Sequence, residues 1–258
     1  MTATSSSAAL RADADPDVVD PVPAGTVPLV VVGPRTRVGR SLLALREGPV
    51  LAVSRHADDT AALAGADVLD VEDDDLGTRL AGASAVDVAV CALGPVHPGA
   101  PDHDRDVAGL RRDLGLLRRV LAAADGRAVR IVLVSSVVAL APTPDRRYYG
   151  GAKSLVEQLL LELVAAHPHA RLDVLYPGRL LAAGEGTRPW HRLHARFDRV
   201  AAHVERALRA SQPLGRRRVV GLDARLWLAV RSLSLVVQGL RPGRVDPSAE
   251  LVEPKVAP

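Results

Sequence analysis

The chain has 258 residues, 48% apolar and 24% charged, long enough to bury a full core as one domain or two and with the composition of a globular protein rather than a disordered or fibrous one. A net charge of +3 is too small to imply a nucleic-acid partner, and a single cysteine, Cys91, excludes an internal disulfide and suits a reducing compartment. Aromatic residues make up only 2%, so the core must be built from Val, Leu and Ala.

Residues 1–27 are rich in Ser, Ala, Asp and Pro and lack the charged start and apolar core of a secretory signal. They read as a disordered leader in a cytoplasmic protein. Pro28 to Val32 predicts a short buried strand, followed by the turn Gly33-Pro-Arg-Thr-Arg-Val-Gly39 and a helix from Arg40 to Arg46. Strand, glycine-bearing turn and helix together present backbone N–H groups and a helix N-terminus to a phosphate. That makes Gly33, Arg35, Thr36, Arg37, Val38 and Gly39 candidate cofactor contacts; a tight turn needing glycine for geometry alone gives the same pattern. Val50 to Val53 is the second strand, ending in Ser54-Arg55-His56. An acidic residue near this point suits a ribose 2′-hydroxyl, whereas an arginine suits a 2′-phosphate. Arg55, helped by Arg35 or Arg37, therefore favours NADP over NAD, with a solvated strand-end arginine as the alternative.

Gly65 to Asp70 predicts a third strand, and the acidic run Glu72 to Asp75 a solvated loop and helix start. Val86 to Ala92 is the fourth strand, in which Cys91 reads as a small core residue. His97 and His103, six apart with no further ligand cluster, read as loop surface rather than a metal site. A long helix with Arg on one face spans residues 106–124.

The most informative stretch is residues 131–157. Ile131 to Val134 is one buried strand, followed by Ser135 and Ser136, a loop with Pro142 and Pro144, then Tyr148-Tyr149-Gly-Gly-Ala-Lys153 and an apolar-periodic helix from about Ser154 to Ala166. Tyr149 and Lys153, four apart, share a helix face. A phenol titrates near pH ~10, and a neighbouring ammonium favours its ionised form, bringing it closer to proton exchange with a substrate oxygen. A strand-end serine facing the same spot would fix that oxygen. The bland alternative is a half-buried tyrosine beside a solvated lysine. Composition argues against it: Lys153 and Lys255 are the only lysines in the chain, and two of its three tyrosines sit here. A compact point charge has been placed where all but one other basic residue is Arg.

Arg171 to Leu175 predicts the sixth strand, running into Tyr176-Pro177-Gly178-Arg179. Thr187 to Ala210, rich in Arg and His, predicts a helical lid over a substrate pocket. Arg216 to Arg218 precede a short strand, Val219 to Leu222, and read as a solvated edge or as contacts to an anionic substrate. Ala224 to Leu240 is strongly apolar, but Arg225 and Arg231 exclude a membrane span, which leaves a core-packed or interface helix. The Pro-rich tail from Pro242 reads as loose.

The segment with Ser136, Tyr149 and Lys153 resembles the active-site segment of the short-chain dehydrogenase/reductase family: a strand ending in Ser, then Tyr-x-x-x-Lys on the next helix. By that resemblance Ser136 orients the substrate oxygen and Tyr149 is the acid/base. Lys153 lowers the tyrosine pKa and holds the nicotinamide ribose. It further implies that Asp70 caps an adenine pocket, that Ala92, Leu93 and Gly94 lie against the ribose and nicotinamide, and that Tyr176, Pro177 and Gly178 form a turn beside the nicotinamide. Three positions depart from the family pattern. Thr36 stands at the middle glycine of Gly-x-x-Gly-x-x-Gly, Arg112 near a supporting asparagine, and Tyr176 where arginine is frequent.

Strands alternating with helices from Pro28 to Gly178 predict an α/β doubly wound parallel sheet, Rossmann-like, with helices on both faces. The expected division is a leader (1–27), an NAD(P)-binding domain (28–183), a small helical substrate or lid region (184–241) and a tail (242–258). The reading is an NADP-dependent oxidoreductase, NAD remaining open, acting on a small-molecule carbonyl or alcohol, with no nucleic-acid or membrane partner and a homodimer by family habit. The alternatives are a sugar epimerase or dehydratase using the same residues, and a non-redox or scaffold protein that keeps the fold with a degenerate glycine motif.

Overall fold

A strand buried on both faces needs apolar side chains at every position, and the short aliphatic runs of this sequence meet that demand. In the computed structural model, which describes residues 25–54, 63, 66–70, 76–94, 103–182, 185, 189–210 and 217–240 (backbone alone at 54, 70, 103, 144 and 235–240), these runs become the strands of one sheet. In chain order the elements are β1 (Leu29–Val32), α1 (Arg37–Leu45), β2 (Val50–Ser54), β3 (Asp67–Asp70), α2 (Leu76–Leu80), β4 (Ala85–Val90), α3 (His103–Ala123) and β5 (Ala128–Val134). There follow α4 (Val137–Leu140), α5 (Arg147–Ala165), β6 (Ala170–Pro177), the two-residue strands β7 (Leu180–Leu181) and β8 (Ala195–Arg196), α6 (Phe197–Arg209), β9 (Arg217–Val220) and α7 (Leu222–Leu240). The sheet order is β3-β2-β1-β4-β5-β6-β9, with every pairing parallel. This is the doubly wound, Rossmann-like sheet that the alternation of elements predicts.

Alternate residues of each strand feed opposite layers, as the period of two requires. Val30, Val88, Ile131, Leu133 and Val174 pack with Leu117 and Val120 of α3 and Leu160 of α5. Leu29, Val31, Ala89, Val132 and Leu175 pack with Leu42 of α1 and Val204 and Leu208 of α6. Cys91 lies in the second layer, where burial pushes its thiol up to about 12.

Three expectations need correction. Helix α5 begins at Arg147 rather than near Ser154, so both tyrosines and both glycines lie within it. Its low-propensity first turns are held by packing on α4, which overrides local preference. Helix α1 begins at Arg37 rather than Arg40, because Thr36 caps it. The lid expected over Thr187 to Ala210 is, in α6, a core helix. In α6, Val200, Ala201, Val204, Ala207 and Leu208 form one apolar face buried against α1 and the sheet, and β9 is the seventh strand, which Arg217 and Arg218 enter rather than precede. The Arg and His content of α6 lies on its other faces and disguised a core helix as a lid. Helix α7 packs one side on α4, through Ala224 and Leu228, and Trp227 Nε1 donates to the Ala141 carbonyl at 3.3 Å. Its opposite side, Leu222, Leu226, Val230 and Leu233, is exposed. Among the described residues no helix is long and apolar enough to cross a membrane.

The N-terminal edge of the sheet is held by buried charge. Asp87 of β4, 1% exposed, meets Arg130 Nε of β5 at 2.6 Å and Arg46 Nη2, at the end of α1, at 3.1 Å. Arg46 Nη1 reaches Glu205 Oε1 of α6 at 2.8 Å, and Arg209 joins the same oxygen at 2.9 Å. Burial pushes the Asp87 carboxyl up, while the two guanidiniums pull it back. Removing the shared cation leaves two carboxylates short of a partner. Arg46→Met is expected to cost about 3–5 kcal/mol of stability, read as a lower urea midpoint with an unchanged far-ultraviolet circular dichroism spectrum.

Candidate active site

Strand β1 lies between β2 and β4, so the chain leaves β1 and β4 toward opposite ends of the sheet, and their carboxyl ends mark the switch point at which a doubly wound sheet has its ligand crevice. Its floor is where Gly33 meets Ala92. Gly33 has φ +78, and a Cβ there would lie 2.5 Å from Ala92 Cβ, so only glycine fits. The first turn of α1 points N–H groups at this crevice. Thr36 modifies it: its hydroxyl donates to the Gly33 carbonyl at 2.9 Å and accepts from Gly39 N–H at 3.0 Å. The residue at the position of the missing glycine is therefore an N-cap that engages one of the turn's donors. Gly39 packs so closely on the turn that a Cβ would sit 2.6 Å from the Gly33 carbonyl oxygen. Val38 is buried in the α1–α6 layer and can offer only backbone. Arg35 and Arg37 are exposed; Arg37 pairs with Glu185 at 3.4 Å and lies 5.3 Å from the centre of the Phe197 ring.

The other proposed cofactor contacts divide. Leu93 is fully buried and presents its carbonyl, not its side chain. Gly94, with φ +67, turns the chain away from β4. Gly178 lies against the Asp223 carboxylate, which also accepts the Arg179 N–H at 2.9 Å and bonds His194 Nδ1 at 3.0 Å. Pro177 is buried at the end of β6, beside Val220. Tyr176 is a correction: it is fully buried in the layer beneath α3 and α5, and its hydroxyl donates to Glu157 Oε2 at 2.7 Å. It faces the core and cannot line a pocket. Asp70 ends β3 with its backbone alone described, whereas Arg55 and His97 lie outside the described residues.

Ser136, Tyr149 and Lys153 come together at the same edge. Ser136 follows β5 and caps α4, its hydroxyl accepting from Val138 N–H at 3.4 Å. Tyr149, in the first turn of α5, packs against Val137, Val138 and Ala224. Burial pushes its phenol up, and the hydrogen bond with Ser136 and the charge of Arg146 draw it part of the way back. The expected lowering of the phenol by Lys153 is not what the site shows: desolvation raises the group, and the groups that oppose it are Ser136 and Arg146. Lys153 is 5% exposed, with Nζ 5.8 Å from the centre of the Tyr149 ring and donating to the Leu93 carbonyl at 2.8 Å. Burial lowers it to about 8, against the charges of Glu157, Asp113 and Asp106.

Two of those acids escaped the sequence reading. Asp113, 5% exposed on α3, sits one position beyond Arg112, which is exposed; the acid and not the arginine faces the lysine. Glu157, also 5% exposed, follows Lys153 by one helical turn. A glutamate inside the apolar run Leu155-Val156-Glu157-Gln158-Leu159-Leu160 was the available signal.

The approach of α5 to α4 that brings Tyr149 to Ser136 depends on Gly150. A Cβ there would lie 2.7 Å from the Val138 carbonyl oxygen and 2.8 Å from Pro142 Cβ, whereas one at Gly151 would meet nothing within 4 Å. Gly151→Ala is therefore expected to stabilise by about 0.5–1 kcal/mol through helix propensity, and Gly150→Ala to destabilise; paired thermal melts check the opposite signs.

No protein-family model matches the sequence. No curated protein matches it significantly. Solved structures do. A short-chain dehydrogenase from Burkholderia cenocepacia, in complex with NADP, is 19% identical with a TM-score of 0.59, over 84% of this chain and 99% of the other. A short-chain type dehydrogenase/reductase from Mycobacterium ulcerans is 17% identical with a TM-score of 0.59, over 80% and 92%. A short-chain dehydrogenase from Streptomyces avermitilis is 17% identical with a TM-score of 0.59, over 83% and 94%. The chain has the fold of these short-chain dehydrogenases over nearly their whole length.

Proposed function

We propose that the chain is an NADP-dependent oxidoreductase of the short-chain type, interconverting a carbonyl and an alcohol. The observation that carries the reading is the convergence of Ser136, Tyr149 and Lys153 at the carboxyl edge of the sheet, where the strand order reverses between β1 and β4. The crevice suits a dinucleotide: the floor of Gly33 and Ala92 lets backbone approach closely, and the helix N-terminus favours a pyrophosphate. In this reading Gly33 and the Thr36–Gly39 turn hold the pyrophosphate, and Arg35, Arg37 and Arg55 hold a 2′-phosphate. Asp70 contacts the adenine, and Ala92, the Leu93 backbone, Gly94 and Gly178 border the nicotinamide side. The neighbour that carries NADP supports the same choice.

When bound, the nicotinamide supplies or accepts a hydride. The residues handle the proton. A phenol raised by burial is protonated at neutral pH, the form that donates to a carbonyl oxygen being reduced. Ser136 donates to that oxygen and fixes it within reach of Tyr149. The Lys153 ammonium beside the ring favours the phenolate left after transfer, and so stabilises the product side of the step. A homodimer belongs to the same reading, and the exposed stripe of α7 is apolar surface that a second copy would cover.

Titration with NADPH and NADH, followed by nicotinamide fluorescence, tests the reading. NADPH is expected to bind more tightly than NADH, and Arg55→Ala to narrow the difference. Tyr149→Phe is expected to keep nucleotide affinity within a few-fold while lowering turnover of a carbonyl substrate by roughly 10²–10⁴-fold. A folded protein that binds neither nucleotide overturns the reading and points to Thr36 having closed the phosphate site.

A further inference from the structure

The register of the central strands places two hydroxyls on one buried carboxylate. Alternation along β5 sends Ile131, Leu133 and then Ser135 toward the α5 layer. The Ser135 N–H donates to the Leu175 carbonyl, which sets Ser135 beside Tyr176 on the neighbouring strand. Both hydroxyls then converge on Glu157 above them: Ser135 Oγ donates to Oε1 at 2.5 Å and Tyr176 OH to Oε2 at 2.7 Å. Each oxygen of a carboxylate that is 5% exposed thus has its own donor, and the residue one turn earlier on the same helix face is Lys153.

An acid in such a place is expensive unless it does something an apolar residue could not. The two hydroxyls satisfy it but do not require it; a leucine with a phenylalanine and an alanine would fill the same volume. What only the acid supplies is negative charge beside a lysine that is itself 5% exposed. We propose that Glu157 is a positioning residue for the candidate active site, clamping α5 to the ends of β5 and β6 and providing the counter-charge that holds the Lys153 ammonium beside Tyr149. This deepens the reductase reading and rests on it for its catalytic meaning.

The groups facing Lys153 are Tyr149 and Glu157 on its own helix, Asp113 and Asp106 from α3, and the Leu93 carbonyl from the loop after β4. Asp106 also accepts the Tyr148 hydroxyl at 2.7 Å. Burial works to discharge the lysine, and the three acids work to keep it charged, Glu157 foremost among them. Taking away the charge of Glu157 alone must move the lysine toward its neutral form at any fixed pH.

The composition of the chain makes this measurable without substrate or nucleotide. With only Lys153 and Lys255 present, ¹³C-lysine labelling of the full chain gives two ε-carbon signals, one of them an internal reference in the C-terminal tail. In a titration followed by nuclear magnetic resonance, the Lys153 signal is expected to titrate below that of Lys255. Glu157→Gln is expected to lower its midpoint by a further unit or so, as the loss of one near opposite charge implies. Glu157→Asp, which keeps the charge but withdraws it by one methylene, is expected to produce a smaller lowering in the same direction. An unchanged Lys153 midpoint in folded Glu157→Gln overturns the proposal. If the Gln variant does not fold, an unchanged midpoint in Glu157→Asp overturns it equally. Loss of stability without a shift would make Glu157 a structural clamp only. Because no cofactor takes part, this outcome is independent of whether the chain binds NADPH. With a substrate in hand, the alkaline limb of the kcat profile in Glu157→Gln is expected to move to lower pH by the same interval.

Discussion

One ammonium group, taken almost entirely out of water, organises the carboxyl edge of this molecule. Lys153 can stay there only because α3, α5 and the loop after β4 each give it something: acids from the two helices and the Leu93 carbonyl from the loop. Those contributions fix the relative placement of the elements that make them. The loop must leave β4 so as to turn its carbonyl inward, α3 must present Asp113, and α5 must lie close enough to the sheet for Glu157 to reach Ser135 and Tyr176. The packing of the candidate site is in this sense the solvation shell of a single cation, built from protein instead of water.

Most of the sheet was legible in the sequence. Strands buried on both faces have no choice but to be aliphatic, so runs such as Val30-Val31-Val32 and Ile131-Val132-Leu133-Val134 announce themselves. The site's central pair was legible for a different reason, since Lys153 is so rare a residue in this chain that its position carried information. What stayed hidden was decided by tertiary contact. The start of α5 was obscured by two glycines that look like a loop until α4 is seen to need Gly150 bare. The core helix α6 was obscured because nearly half of its residues carry charge or imidazole, and only its periodicity shows a buried face. The resemblance places Tyr176 in a turn beside the nicotinamide, whereas strand alternation sends it to the same side as Ile131 and Leu133, where its hydroxyl meets Glu157.

The two edges of the sheet use charge in opposite ways. At the amino edge, Asp87, Arg46, Arg130, Glu205 and Arg209 join β4, β5 and two helices into one cluster, in which three guanidiniums pair with two carboxylates. Such a cluster ties elements together. At the carboxyl edge burial works against charge: it lowers Lys153 and keeps the phenol of Tyr149 from ionising. Of the two, Lys153, lowered to about 8, is the group brought toward neutral pH.

The placement of Cys91 has a practical consequence. The chain's one thiol lies at the end of β4, sealed between α1 and the sheet and far from its reactive thiolate form. The folded protein should therefore be silent toward maleimides and mild oxidants, a natural blank background. A cysteine introduced at an exposed position near the crevice, such as Arg179, would become the sole addressable handle, and a fluorophore or spin label attached there would report the crevice without any engineering of the core.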